Sequence, residues 1–411
     1  MAGQAASPMR ILLVNYEYPP LGGGGANNTL EIARRLAGRG HQVAVLTTRF
    51  RGLPAEDSDQ GVRVVRLRVP RRQIYQCTPM EMVGFMAIGS VLGPWRVASF
   101  RPQVALAFFS MPSGPPAWTI ARRFRIPYAL CVLGGDVPRP FRDELTRLHT
   151  MAKPVLRLLW REAAAIVANS EGLAALARAF EPRCPVEVIP NGVDAQRFRP
   201  ASADPGRPQA PAGQREVALL TASRLSIEKG LDRLLRCLAA LPASLPPWRL
   251  RIAGDGPLRG DLEAEARRLG LAGRVEFPGW QDKAAMPDLY RQADIFVLVS
   301  SGEGSPNVVL EAQASGLAVL ATRVRGTEEL IRPEETGLLV ELGDEEALRA
   351  ALARLIGDPA LRGRLGAAGR RSAEACSWDA VAQSYEALCL RLAQDRSLAP
   401  RGFQFLLHLI R

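Results

Sequence analysis

Two glutamates, Glu303 and Glu311, stand with seven residues between them in the stretch LVSSGEGSPNVVLEAQASG, residues 298–316. An apolar run, 295–299, reads as a strand that ends in this polar loop. The loop then opens a helix near Pro306. Proline suits a helix start, and the small residues Gly304 and Ser305 leave the first amides of the helix, around Pro306, Asn307, Val308 and Val309, accessible. A strand, a tight turn and an uncapped helix N-terminus make an anion site, because orphan N–H groups and the helix dipole point into the loop. A carboxylate on either side would repel a bare phosphate. The pattern suits a ligand with a phosphate centre and hydroxyl-bearing wings, a nucleotide sugar. Glu303 would accept from sugar hydroxyls and Glu311, two turns into the helix, from the ribose.

A second pair carries the opposite charge. In SRLSIEKG, Arg224 and Lys229 lie five apart around a turn, with a helix following from Gly230. An arginine and a lysine in a loop are ordinarily surface charges. Beside the carboxylate block they read as two cations that hold a diphosphate and carry the charge that builds on it as a bond to it breaks.

Positioning these groups requires strands and helices in alternation. Strands are expected at 10–14, 43–47, 62–69, 104–109, 127–132, 165–169 and 186–189. A second run begins at 216–221 and continues at 250–253, 274–277, 295–299 and 318–322. Helical patterns lie between them, the first from about Thr29 to Gly38. Two successive β-α-β runs imply an α/β protein of two parallel, doubly wound, Rossmann-like domains. Ligands of such sheets sit beyond the strand C-termini, so the two sets of loops are expected to face one another across a cleft. The expected division is 1–195 joined by a C-terminal helix of about 378–411, a Pro/Ala/Gly-rich linker at 196–215, and 216–377. A chain of 411 residues is long enough for each part to bury its own core.

The formal charge is +12. Lys+Arg minus Asp+Glu is 26 − 14 = +12 for residues 1–200 and 27 − 27 = 0 for 201–411. A basic first half points to an anionic partner, a membrane surface among the candidates. Residues 82–95 are uncharged and largely apolar, too short to span a bilayer, and read either as a helix packed on the sheet or as an interfacial segment. Six cysteines without a C-x-x-C pair read as reduced thiols, and three histidines show no metal-ligand spacing. The D-x-D triplet within residues 56–59 has no apolar strand leading into it and reads as a solvated acidic loop, so no metal is expected. MAGQAASPMR lacks the apolar core of a signal peptide. A cytoplasmic protein is expected, in contact at most with the inner face of the cytoplasmic membrane.

Seven blocks in order resemble the family 4 retaining glycosyltransferases of the GT-B architecture. They are PPLGGGGANNTLEIARRLAGRGHQVAVLTT, IVANSEG, VIPNGVDAQRF, SRLSIEKG, IAGDGP, FPGW and the E-x7-E block itself. The likeness runs over roughly residues 10–390. It implies transfer of a sugar from a UDP- or GDP-sugar to an acceptor hydroxyl of a glycan or a lipid-linked glycan, in polysaccharide, lipopolysaccharide or glycolipid assembly, with no cofactor beyond the donor itself. It assigns Gly23 and Gly24 to the donor diphosphate, Gly254 and Gly256 to the nucleobase, and backbone groups near Trp280 to the base edge. Trp280 as plain core is the alternative. Asp136, in LGGDVPRPF, would approach the acceptor or the transferred sugar. Many relatives carry a histidine or arginine just before that glycine pair, and this chain has Leu133. With no obvious nucleophile, the implied route is front-face, the leaving phosphate taking the acceptor's proton.

Rival readings fail on particular residues. A nicotinamide site needs a spaced third glycine and an acid ending the second strand; here Gly22–Gly25 run together and Thr47, Thr48 and Arg49 follow. A phosphorylase needs a cofactor lysine, and Lys153, Lys229 and Lys283 offer none in a suitable motif. A sugar-nucleotide epimerase is the alternative among enzymes. A basic membrane- or nucleic-acid-binding protein is the alternative outside them, and no nucleic-acid motif is present.

Overall fold

A computed structural model describes residues 7–74, 77–135, 137, 144–200 and 216–400. Asp136, most of the expected linker (201–215) and the apolar tail from 401 lie outside the described residues. The chain forms two compact units, one running to Asn191 and resuming at Trp378, the other Gly192–Ser377.

The first unit is built on an eight-stranded sheet. In chain order it contains β1 (Arg10–Val14), α1 (Gly24–Gly38), β2 (Gln42–Thr48), β3 (Glu56–Asp59), β4 (Val62–Leu67), α2 (Pro79–Arg96), β5 (Val104–Phe108), α3 (Gly114–Phe124), β6 (Tyr128–Val132), α4 (Glu144–Glu162), β7 (Ala165–Ala168), α5 (Glu171–Phe180) and β8 (Val186–Val188). The strand order is β3-β4-β2-β1-β5-β6-β7-β8, parallel throughout except that β3 runs antiparallel to β4. Strands such as VALAF and YALCV are buried along their whole length, as expected of a parallel sheet covered on both faces. One face packs α2, α3 and α5 through Phe85, Ile120 and Leu173. The other packs α1 together with α13 (Trp378–Gln394), which supplies Trp378, Tyr385 and Leu388 to the core.

The second unit contains β9 (Val217–Ala222), α6 (Leu231–Ala239), β10 (Trp248–Ala253), α7 (Arg259–Arg268), β11 (Val275–Gly279), α8 (Met286–Arg291), β12 (Ile295–Leu298), α9 (Asn307–Ala314), β13 (Ala318–Thr322), α10 (Arg325–Glu328), β14 (Leu338–Val340), α11 (Glu345–Gly357) and α12 (Pro359–Glu374). Its six strands are parallel in the order β11-β10-β9-β12-β13-β14. The order reverses between β9 and β12, and the corresponding reversal in the first unit falls between β1 and β5. A crevice opens at such a reversal because the crossover helices on its two sides leave on opposite faces.

Four local expectations are corrected. Helix α1 begins at Gly24 rather than near Thr29, so the last two glycines of the run, Gly24 and Gly25, open its first turn. The acidic residues 56–59 form strand β3 rather than a loop. Its carboxylates pair with cations: Glu56 with Arg63 and Arg96, Asp57 with Arg66, Asp59 with Arg34. Strand β4 ends at Leu67 rather than at residue 69, and it is mostly buried despite its arginines, Arg66 being 6% exposed. Residues 196–200 belong to the second unit, where Phe198 packs edge-on against Tyr290 with ring centroids 5.6 Å apart. The apolar stretch in 82–95 is part of helix α2, whose inner face carries Phe85, Gly89 and Gly93 against the sheet and α3. Its outer face leaves Met80, Val83, Val91, Leu92 and Trp95 exposed. Among the described residues no helix is long and apolar enough to cross a membrane.

Candidate active site

The loops after β9 and β12 flank the reversal of the second sheet, and they carry the two predicted charge pairs. Lys229 closes a short 3-10 turn, 227–229, and its Nζ donates to Glu303 Oε1 at 2.6 Å. Both side chains are largely buried, 18% and 13% exposed. Backbone and side chain of Ser301 both donate to the carbonyl of Glu228, at 2.8 and 3.2 Å, and stitch the two loops together. Gly230, at φ +61°, ends the turn, and a Cβ there would lie 2.7 Å from the Val299 carbonyl oxygen. Only glycine serves both the left-handed backbone and the close approach. Arg224 lies on the same loop, exposed, with no carboxylate partner among the described residues.

Helix α9 opens beside Glu303. Pro306 is its N-cap rather than a first-turn residue, no side chain caps it, and its first turn holds no acid. Proline has no N–H, and the Val309 N–H is taken by the Pro306 carbonyl at 3.0 Å. Asn307 and Val308 carry the backbone N–H groups of this helix tip nearest the loop; the expected role is corrected for Pro306, which has no N–H, and for Val309, whose N–H is already used. Glu311 is one turn into α9 rather than two. The phenol of Tyr290 donates to its Oε2 at 2.9 Å and to the Val308 carbonyl at 3.3 Å. Burial and the adjacent Glu311 carboxylate push the Tyr290 phenol well above its ordinary value of 10.0, so it stays a donor and fixes the carboxylate.

Two further loops complete this rim. Gly254, at φ +136°, would place a Cβ 1.9 Å from the Ser223 carbonyl oxygen, and Gly256 would place one 2.4 Å from that of Leu225. Their glycine character is thus explained by the approach of the β10 loop to the β9 loop. Gly326 would place a Cβ 2.4 Å from the Gly304 carbonyl oxygen and 2.8 Å from that of Glu303. Trp280 follows β11 and is 41% exposed, which removes the reading of it as core. The hydroxyls of Ser223 and Ser300 are buried without a hydrogen-bond partner among the described residues. Such orphans are uncommon in a settled core and mark where polar ligand groups could enter. The sequence reading missed Tyr290, which lies outside every quoted block, and Ser223 and Ser300, which lie within the SRLSIEKG and E-x7-E blocks but carry no signal beside their charged neighbours.

In the first unit Gly23 caps α1, and a Cβ added there would meet nothing within 4 Å; Gly24 is the first helical residue. No acid stands in that first turn either. Gly22, at φ +90°, presses on Glu17, which is paired with Arg71 at 3.1 Å; Gly25 sits against the Phe109 ring and Leu133. The position that carries a basic residue in many proteins of the resembled family is therefore an apolar contact here. Asp136 lies outside the described residues. Among the described residues no group of three or more His, Cys, Asp or Glu could hold a metal ion.

Comparison with known proteins identifies the family and the fold. Residues 205–372 match the family "Glycosyl transferases group 1", and residues 23–192 match the "Glycosyl transferase 4-like domain". The D-inositol 3-phosphate glycosyltransferase of Streptomyces avermitilis is 30% identical over 417 residues, covering 92% of this chain and 86% of its own. Among solved structures, the sucrose-phosphate synthase of Thermosynechococcus elongatus superposes with a TM-score of 0.81 at 24% identity, covering 93% of this chain and 98% of that one. Anabaena HepE, solved with UDP and glucose, superposes at 0.72 with 19% identity, covering 93% and 100%. The fold is GT-B, and the chain belongs to the group 1 glycosyltransferases.

Proposed function

We propose that this glycosyltransferase moves a sugar from a UDP- or GDP-sugar to an acceptor hydroxyl with retention of anomeric configuration and without a metal ion. The observation that carries the reading is the Lys229–Glu303 contact of 2.6 Å at the sheet reversal, beside the uncapped tip of α9. A diphosphate at that tip meets Lys229, Arg224 and the amides of Asn307 and Val308, with Gly304 and Ser305 forming the turn beneath it. Negative charge gathers on the diphosphate as the anomeric bond breaks, and preorganised cations and dipoles stabilise it there. Glu303 holds sugar hydroxyls. Glu311, fixed by Tyr290, holds the ribose, and Trp280 borders the base. The leaving phosphate takes the acceptor's proton on the same face of the sugar, a route that needs no protein base at position 133. Asp136 is assigned to the acceptor side.

The acceptor is a glycan or lipid-linked glycan of cell-surface polysaccharide, lipopolysaccharide or glycolipid assembly, presented at an anionic membrane surface. The exposed apolar face of α2, with Trp95 71% exposed, together with the basic first half supports that setting.

A thermal-shift screen over UDP- and GDP-sugars tests the donor. A ligand at about a hundred times its dissociation constant stabilises by roughly 2.7 kcal/mol. Transfer assayed with a chelator present, and the anomer of the product read by NMR, test metal independence and retention. Stabilisation by neither donor class, or an inverted product, overturns the reading.

A further inference from the structure

The end of the first unit remote from its strand C-termini carries a second basic feature. A cavity of about 800 Å³ opens where β1, β5 and β6 begin, lined in part by Arg10, Arg101, Arg123 and Arg125. No acidic residue lines it. Several arginines elsewhere in this unit are matched to carboxylates, as Arg34 is to Asp59 and Arg161 to Glu181. None of these four has a carboxylate partner among the described residues.

The backbone here is held against its own preference. Arg101 has φ +49° and Arg125 φ +52°, left-handed values that cost a non-glycine residue roughly 1–2 kcal/mol. Arg101 also precedes Pro102, a position that favours extended backbone. Arg10 Nε donates to the Arg101 carbonyl at 2.7 Å, and its backbone N–H donates to Gln103 Oε1 at 2.8 Å, tying the start of β1 to the Arg101 turn. Arg123 and Arg125 also complement the C-terminal dipole of α3, but Arg10 and Arg101 are not in the last turn of any helix. Four arginines from three chain segments, two of them at left-handed positions, line one basin, and guanidinium groups there offer charge-assisted donors to phosphate oxygens.

We propose that this basin binds a phosphate-bearing polyanion, either a soluble pyrophosphate-like group or the headgroup of an acidic lipid. The site is separate from the donor loops and does not rest on the function proposed for them.

The test uses the full chain with Arg101→Gly and Arg125→Gly combined. Glycine relieves the left-handed strain at both positions while deleting two cations, so the variant is expected to melt no earlier than its parent and to keep its transferase activity. Inorganic pyrophosphate is titrated calorimetrically into a parent carrying Arg224→Ala and Lys229→Ala, which strips the donor site. Flotation with phosphatidylcholine vesicles, with and without phosphatidylglycerol, runs beside it. An Arg68→Gln/Arg183→Gln pair serves as the charge-matched control. The expected result is that the glycine pair weakens pyrophosphate binding by about tenfold or more, for a soluble ligand, or abolishes phosphatidylglycerol-dependent flotation, for a lipid. The proposal is overturned if neither signal changes, or if the control pair lowers both as far as the glycine pair does.

Discussion

At the scale of single residues, the pairing of Lys229 with Glu303 shapes how the donor site handles charge. Without a ligand the two largely neutralise one another in a partly buried setting. On the function proposed above, a diphosphate would compete with Glu303 for the ammonium, and the carboxylate would turn to the sugar once the whole donor is bound. Glu303→Gln should bind free UDP or GDP more tightly than the parent, by calorimetry, while turnover falls by about two to three orders of magnitude. Weaker nucleotide binding with normal turnover would show that the pair is merely structural. Tyr290 acts through another residue, since its hydroxyl touches Glu311. Tyr290→Phe keeps the ring packing and removes the bond. The expectation is a several-fold rise in donor KM with kcat nearly unchanged, and a stability loss of about 1 kcal/mol.

At the scale of elements, the donor rim depends on loops that approach one another backbone to backbone. Gly326, the second residue of α10, lies against the carbonyls of Glu303 and Gly304, so the first turn of that helix sets the height of the glutamate loop. A methyl group 2.4 Å from a carbonyl oxygen cannot be absorbed by a rotamer change, because the obstacle is main chain. Gly326→Ala should displace the 303–304 turn, cost about 1–3 kcal/mol of stability, and reduce donor-induced thermal stabilisation while the circular dichroism spectrum is retained. An unaltered donor response would mean that the turn does not contact the ligand. The glycine block of α1 reads as a loop in the sequence because glycine disfavours helix interiors. As the first turn it bears little of that penalty, since those amides have no intrahelical partner in any case.

At the scale of the whole molecule, the last helix returns to the first unit. Helix α13 packs Trp378, Val381, Tyr385 and Leu388 into the same core as β1 and α1. Its Glu386 meets Arg39 at the end of α1 and His41 Nε2, the latter at 2.8 Å. Burial by itself would raise the Glu386 carboxyl, but hydrogen bonds and charge from Arg39 and His41 outweigh it and hold it below its ordinary value of 4.5. A depressed carboxylate stabilises the fold at pH above its unfolded value, and that contribution is lost as pH falls through the folded value. Parent and Glu386→Gln proteins should therefore differ most in melting temperature near neutrality and converge only in acid, as pH falls through the depressed value of the folded carboxyl. A gap that stays constant into acid would mean that the carboxylate is not what clamps the helix.

Much of this protein is legible one stretch at a time. Alternating strand and helix patterns, the two glycine-bearing first turns, the E-x7-E block and the Arg224–Lys229 loop are local features, set by side-chain period and turn chemistry within a few residues. They are enough for the fold class and for naming the charged groups of the candidate site. Other features join segments that no pattern connects. Tyr290 reaches Glu311, Gly326 yields to Gly304, and Arg10 meets Arg101. Strand order decides which loops become neighbours, and strand order is a property of how crossovers pack rather than of any one segment's sequence. The sequence alone therefore determined which residues could do chemistry, and the tertiary structure decided which of them stand together, because only the packed sheets bring distant turns to one rim.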